Sequence, residues 1–368
     1  MTETSTMGCS NNDSAESVRA LDVFCHCLPP DFCRAANQLL QRPMTMFQRA
    51  QQMPVMVDVE SRLRMMDGFP GYCQVLSLAS PTIESIATPD QAPKLARIAN
   101  DALVEMSASY PDRFPGWIAS LPMNAPEAAC AEADRAVKRL GAVGIQVYTN
   151  VTGQALDHAA TLAVVEHVAS LGCPVWLHPV RPMTFADYAG EDVSKFDLWW
   201  ALGWPHETSV AMGRLVFAGL FDRWPDVTVI THHCGGTIPM MSGRIEFGLR
   251  LLGTRNPPHL SDAVATNLVE PPISAFRRFH ADTASFGSSA AIACAIDFFG
   301  IEQMLFATDS PFDPEQGPGY IRRTLRAIDD LELPEAHRTA ILFGNAERLL
   351  FGKNQATDEL HSKGHSDG

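Results

Sequence analysis

The sequence predicts a (β/α)8 barrel, an α/β fold of the TIM-barrel class, with long insertions after strands 1 and 5. Three observations predict it. Eight short apolar segments alternate with longer segments whose apolar residues recur every three to four positions, which is the signature of a parallel sheet wrapped in helices. The 368 residues suffice for one large barrel, or for two medium domains, with a sizeable core. Four of the apolar segments end on a residue capable of chemistry, at His26, His178, His233 and Asp309, and Pro, Gly or Ser follows almost at once. In a barrel the C-terminal strand ends form one ring, so residues far apart in sequence converge there.

Taken in order, strand one is expected over 20–27 (ALDVFCHC) and leads into a Met-, Gln-, Pro- and Arg-rich insertion over 28–68. Strand two follows at 73–79, a helix at 91–110, strand three at 115–122 and a helix at 126–140. Strand four spans 143–149, a helix 157–171, and strand five 174–178, where Pro179 stops it. The stretch 180–205 is aromatic and rich in Pro and Gly, and long loops at this face of a barrel serve as walls or lids. Strand six is expected at 227–233, strand seven at 280–284 and strand eight at 303–308, with helices at 287–298, 318–331 and 334–352. Residues 1–18 and 354–368 are rich in Ser, Asp, Asn and Gly and are expected to be disordered tails, leaving 19–353 as the barrel.

A hydrophobic content of 46% with 19% charged residues describes an ordinary water-soluble chain. The net charge of −14 argues against nucleic acid or an anionic membrane as partner, and no apolar run is long enough to span a bilayer. The N-terminus is polar and shows no secretory leader, and nine scattered cysteines without a CxxC pair fit reduced thiols. The expectation is a cytoplasmic protein.

Three imidazoles and a carboxylate at one ring suit a divalent cation together with a general acid or base. Each residue has a plainer alternative: His178 as a structural strand-end histidine, and Asp309 as a helix cap or turn former before Ser310 and Pro311. In the His232–His233 pair, adjacent strand residues point to opposite faces, so only one is expected to face inward. Arg244 lies eleven residues beyond His233 and could bind substrate or form a surface ion pair. Trp199, Trp200 and Trp204 could wall an aromatic pocket or pack in a core or interface.

From about residue 20 to 352 the chain resembles the amidohydrolase-related decarboxylases typified by α-amino-β-carboxymuconate-ε-semialdehyde decarboxylase and γ-resorcylate decarboxylase. DVFCHCLP resembles that family's D-x-H-x-H-x-L-P start, GIQVYTN its fourth-strand G-x-Q motif, and WLHP its fifth-strand ligand motif. PHET at 205–208 resembles its P-x-E-T, HCGGTIPMMSGRI its H-G-G-G…P…G-R-I segment, and FATDSPF its terminal G-T-D-x-P. The resemblance implies His26, His178 and Asp309 as ligands of a divalent metal, zinc or manganese, and His233 and Asp309 as catalytic. It selects His233 over His232 and assigns His232 to packing or support. Arg244 becomes a substrate-carboxylate contact reaching across the interface of a homodimer or dimer-based assembly; Trp200, from the aromatic loop, and Phe24 are expected to bind the substrate as well. The chain departs from the pattern at Phe24, where the family has its first ligand, His or Glu. Three of four ligands then remain unless His233 joins them, and the metal is expected to bind more weakly than in relatives with all four. The implied activity is nonoxidative decarboxylation of an aromatic or unsaturated hydroxy-carboxylic acid. The alternatives are a hydrolase or hydratase and, because of Phe24, a non-catalytic binding protein.

Overall fold

The computed structural model describes residues 19–257, 259 and 268–352, so both expected tails lie outside the described residues. Eight parallel strands form one sheet in the order β1 (Ala20–Cys27), β2 (Tyr72–Leu78), β3 (Gly116–Ser120), β4 (Gly144–Tyr148), β7 (Val175–His178), β8 (Val229–Thr231), β9 (His280–Asp282) and β10 (Met304–Leu305). A two-residue hairpin, β5 (Asn150–Val151) with β6 (Gln154–Ala155), lies apart from it. Backbone hydrogen bonds bring the ends of the sheet together: Val23 N–H donates to the Phe306 carbonyl at 3.0 Å, Asp309 N–H to Phe24 at 3.0 Å, and His26 N–H to Ser310 at 2.8 Å. These contacts close the barrel and place the end of the last strand beside the end of the first.

Every residue of β1, β3, β4, β7 and β8 is buried, as parallel strands covered on both faces require. Leu21, Val23, Phe24, Val75, Ile118, Trp176, Ile230, Leu305 and Ala307 fill the barrel, and a larger cluster packs the strands against the helices. Trp176 spans the interior and donates its indole N–H to the Val23 carbonyl at 2.9 Å. Gly144 makes room for it, since a Cβ there would lie 2.2 Å from the Trp176 ring.

Helices Ala92–Ser109, Pro126–Lys138, Ala159–Ser170, Ser289–Phe299 and Pro318–Asp329 fall where the apolar periodicity places them. The expected helix 334–352 is interrupted by a π-helical turn at Ala340–Gly344. The stretch 28–68 folds into four helices, the last of them Val59–Met66, whereas 180–197 is irregular and precedes helix Gly203–Phe217. Strand six ends at Thr231, short of the His232–His233 pair. Among the described residues no helix is long and apolar enough to cross a membrane, and Cys25, Cys27, Cys33 and Cys234 are buried free thiols.

Candidate active site and metal centre

Strand β1 brings two rings to the mouth of the barrel. Asp22 pairs with Gln74 and Cys25 with Leu76, so Val23 and Phe24 together oppose Val75 in a bulge. Phe24, from the bulge, and His26 bring their rings together with centroids 5.6 Å apart, and both are buried. Strand β7 ends on His178, whose ring is 5.1 Å from that of His26 and 5.6 Å from that of Phe24. Asp309 follows strand β10 with φ of 62°, and its Oδ1 approaches His26 Nε2 at 3.0 Å.

The structure adds a residue that the family resemblance had assigned to packing or support. His232 Nε2 lies 3.4 Å from Asp309 Oδ1, and His26, His178, His232 and Asp309 each offer one buried ligand atom, all within 4.8 Å of one another. His232 keeps extended backbone, φ −87° and ψ 157°, so it faces the barrel interior in phase with Ile230, whereas the left-handed φ of 55° at His233 breaks the strand just after it. His232 thus turns its ring into the cluster, and His233 stacks on it with centroids 3.8 Å apart. His233 itself lies outside the group of four.

Hydrogen bonding fixes the tautomer of each imidazole. The Ser77 hydroxyl donates to the Cys25 carbonyl at 2.7 Å, so its oxygen is left to accept from His26 Nδ1–H at 2.8 Å. His178 Nδ1–H donates to the Pro179 carbonyl at 2.7 Å, and His232 Nδ1 is bonded to the Asp282 carboxylate. In the neutral form each ring then carries its lone pair on Nε2, the arrangement in which histidines bind metals. His26 Nε2 and His232 Nε2 are buried, and both face Asp309 Oδ1, at 3.0 and 3.4 Å. Ligand atoms around an ion at about 2.0–2.2 Å sit roughly 3–4 Å apart, so small movements convert this cluster into a coordination sphere. Three nitrogens and one carboxylate oxygen fit a divalent first-row cation.

The electrostatics differ among the rings. Burial pushes the pKa of His26 down and that of His178 far down, favouring neutral rings. Burial opposes charge on His232 too, but the Asp282 and Asp309 carboxylates outweigh it and hold its pKa up at about 9. Burial would raise Asp309, yet His232 and His26 keep its carboxyl well below the usual range, so it is ionised. Burial and the neighbouring His232 push His233 down to about 4. Its Nδ1–H donates to the Ala284 carbonyl at 2.9 Å, leaving Nε2 free to take a proton.

An aromatic wall stands over the cluster. Trp204 meets His178 edge-on at 5.6 Å, and Trp200 stacks on Phe286 at 6.1 Å. Phe286 in turn lies 5.5 Å from His233 and stacks on Tyr320 at 4.6 Å. Tyr148 packs 5.0 Å from His178, and Phe312 5.7 Å from His26. Arg244 is exposed on helix Ser242–Leu249 and is not brought into the cluster within this chain. Sequence reasoning missed Asp282, Ser77, Phe286 and Tyr320. A lone carboxylate inside the apolar run FHADTA was the available signal for Asp282, whereas Phe286 reaches the site through a left-handed turn, φ 55°, that no local pattern announces.

Residues 25–352 match the amidohydrolase family model. The chain is 30% identical over 279 residues to 2-amino-3-carboxymuconate-6-semialdehyde decarboxylase of Dictyostelium discoideum, covering 75% of this chain and 72% of that protein. It is 31% identical over 309 residues to the gamma-resorcylate decarboxylase of Polaromonas sp., covering 80% and 88%. The crystal structure of a dihydroxybenzoic acid decarboxylase from Polaromonas sp. JS666, with bound manganese and the inhibitor 2-nitroresorcinol, superposes with a TM-score of 0.73 at 27% identity, covering 90% of this chain and 96% of that one. With a matching model over nearly its whole barrel and relatives of this identity and coverage, the chain belongs to the amidohydrolase family.

Proposed function

We propose that the protein is a metal-dependent nonoxidative decarboxylase of an aromatic or unsaturated hydroxy-carboxylic acid. The observation that carries the proposal is the buried cluster at the strand ends, whose histidine and carboxylate ligand atoms lie within 4.8 Å of one another. The relatives named above are decarboxylases, and one of them holds manganese.

In this proposal His26, His178 and Asp309 hold the cation, zinc or manganese. When bound, it supplies a positive charge that draws in the substrate's oxygen substituents and stabilises the electron-rich ring formed as CO2 departs. The protein's residues do the rest. The aromatic wall of Trp200, Trp204 and Phe286 orients a planar ring and excludes water, with Phe24 at the pocket floor. The bond to the carboxylate carbon breaks, its electrons remain on the ring carbon, and that carbon takes a proton. His233, whose Nδ1–H is held by the Ala284 carbonyl so that Nε2 carries the lone pair, is the residue placed to relay a proton between substrate or solvent and the carbon. Asp309, held ionised, suits ligation and brief proton acceptance better than a standing role as acid. Arg244 supplies a bidentate grip on a carboxylate from a neighbouring subunit, so we place the protein in a homodimer or dimer-based assembly, in the cytoplasm.

The test is metal analysis of natively purified protein, followed by a panel of hydroxylated aromatic and unsaturated carboxylates assayed for CO2. CO2 release that stops on chelation and returns with manganese or zinc is expected. Hydrolysis or water addition in place of CO2 release would overturn the proposed reaction, and bound metal without turnover on the panel would favour a binding protein.

A further inference from the structure

We propose that His232 is a direct metal ligand, the fourth from the protein, set in place by Asp282 on one side and by Phe24 on another. The inference rests on the metal site described above. The ring is fixed in every direction that matters. Phe24 stacks on the His232 ring at 4.0 Å and 24°, and His233 stacks on it at 3.8 Å and 25°. The two stacking contacts set the plane of the imidazole. Rotation within that plane is set by Asp282, whose Oδ2 binds Nδ1. Asp282 is held in its turn, because its Oδ1 accepts from Cys234 N–H at 3.2 Å and Ala284 N–H at 3.1 Å. What remains is Nε2, buried and 3.4 Å from the oxygen of Asp309 that His26 also approaches.

Phe24 has no lone pair, so strand one contributes a single donor, His26, and the end of strand six supplies another. The Phe24 ring face instead keeps the His232 imidazole upright. Asp282 and Phe24 are positioning residues, whereas His232 touches the ion.

The experiment counts nitrogens. Copper(II) is loaded into the full-length protein and its coupled imidazoles are counted by pulsed EPR, while manganese affinity is measured by chelator competition. Three imidazoles are expected in the wild type, and two in His232→Ala, with manganese binding weakened by more than about 100-fold. That exceeds the roughly 10–100-fold loss typical of a residue that only supports a ligand. Asp282→Asn should keep three imidazoles and lose about 10–100-fold in affinity. His233→Ala, which removes one stacking partner, should keep three. A wild-type count of two, or an unchanged count in His232→Ala, would overturn the inference, and the wild-type count needs no variant to fold. His26→Ala and His178→Ala test the underlying site separately: if both leave metal binding intact, the metal site itself is misplaced.

Discussion

Arg62 is 1% exposed on helix Val59–Met66, inside the excursion between the first two barrel strands. Its guanidinium donates to the Val55 carbonyl at 3.2 Å, to Gln74 Oε1 at 2.7 Å and to the His26 carbonyl. Among the described residues no carboxylate pairs with it, so a buried charge is balanced by neutral acceptors alone. Replacing it by Leu leaves three buried acceptors without a donor, each costing about 1–3 kcal/mol. The substitution also relieves the guanidinium's desolvation, worth several kcal/mol. Three unmet acceptors set against the relieved desolvation leave an expected net loss of roughly 3 kcal/mol of stability. The assay is urea unfolding of metal-free protein followed by circular dichroism. In parallel, chelator competition should show manganese affinity reduced about tenfold, because the backbone carrying His26 has lost its anchor. A stability loss below about 1 kcal/mol with unchanged affinity would refute the reasoning and show that the acceptors are satisfied by other means.

Glu84 is buried beside Ser120, Gln146 and Tyr148, and burial pushes its carboxyl from 4.5 up to about 7. A raised folded value means the folded state holds the extra proton, so this stability is complete below about pH 4.5 and is lost as pH rises through about 7. Glu84→Gln should therefore be close to neutral at low pH and more stable than wild type by up to about 3 kcal/mol above pH 8; parallel denaturation curves at both ends of that range would contradict it. Gly144→Ala places a Cβ 2.2 Å from the Trp176 ring and 2.6 Å from the Pro174 carbonyl, so a loss of about 3 kcal/mol or failure to fold is expected in thermal melts. Arg244 is exposed, so Arg244→Ala should shift stability by no more than about 0.5 kcal/mol while raising KM for a carboxylate substrate. Mixed dimers of Arg244→Ala with His233→Ala should regain activity, and verified mixed dimers without activity would exclude a shared site.

The sequence by itself determined the barrel and the positions from which chemistry arises. Period-two and period-3.6 patterning is a local property, and a parallel strand buried on both faces reads as a largely apolar run, so β1, β4 and β7 were legible to within a residue at each end. A polar residue that ends such a run is visible without knowledge of its neighbours, which is why His26, His178 and Asp309 stand out in the sequence alone. Tertiary structure decided what local patterning could not. His232, not the His233 that the family resemblance selected, joins the cluster, because its extended backbone keeps it in phase with the interior Ile230 while His233 turns away at a positive φ. Asp282 and Arg62 matter through partners 50 and 36 residues away. Phe286 meets His233 and Trp200 only because a left-handed turn and an irregular loop bring three separate segments together. Strand ends are written in the order of the residues, but the direction in which a ring points beyond a strand end depends on backbone dihedrals and on contacts that exist only once the barrel has closed.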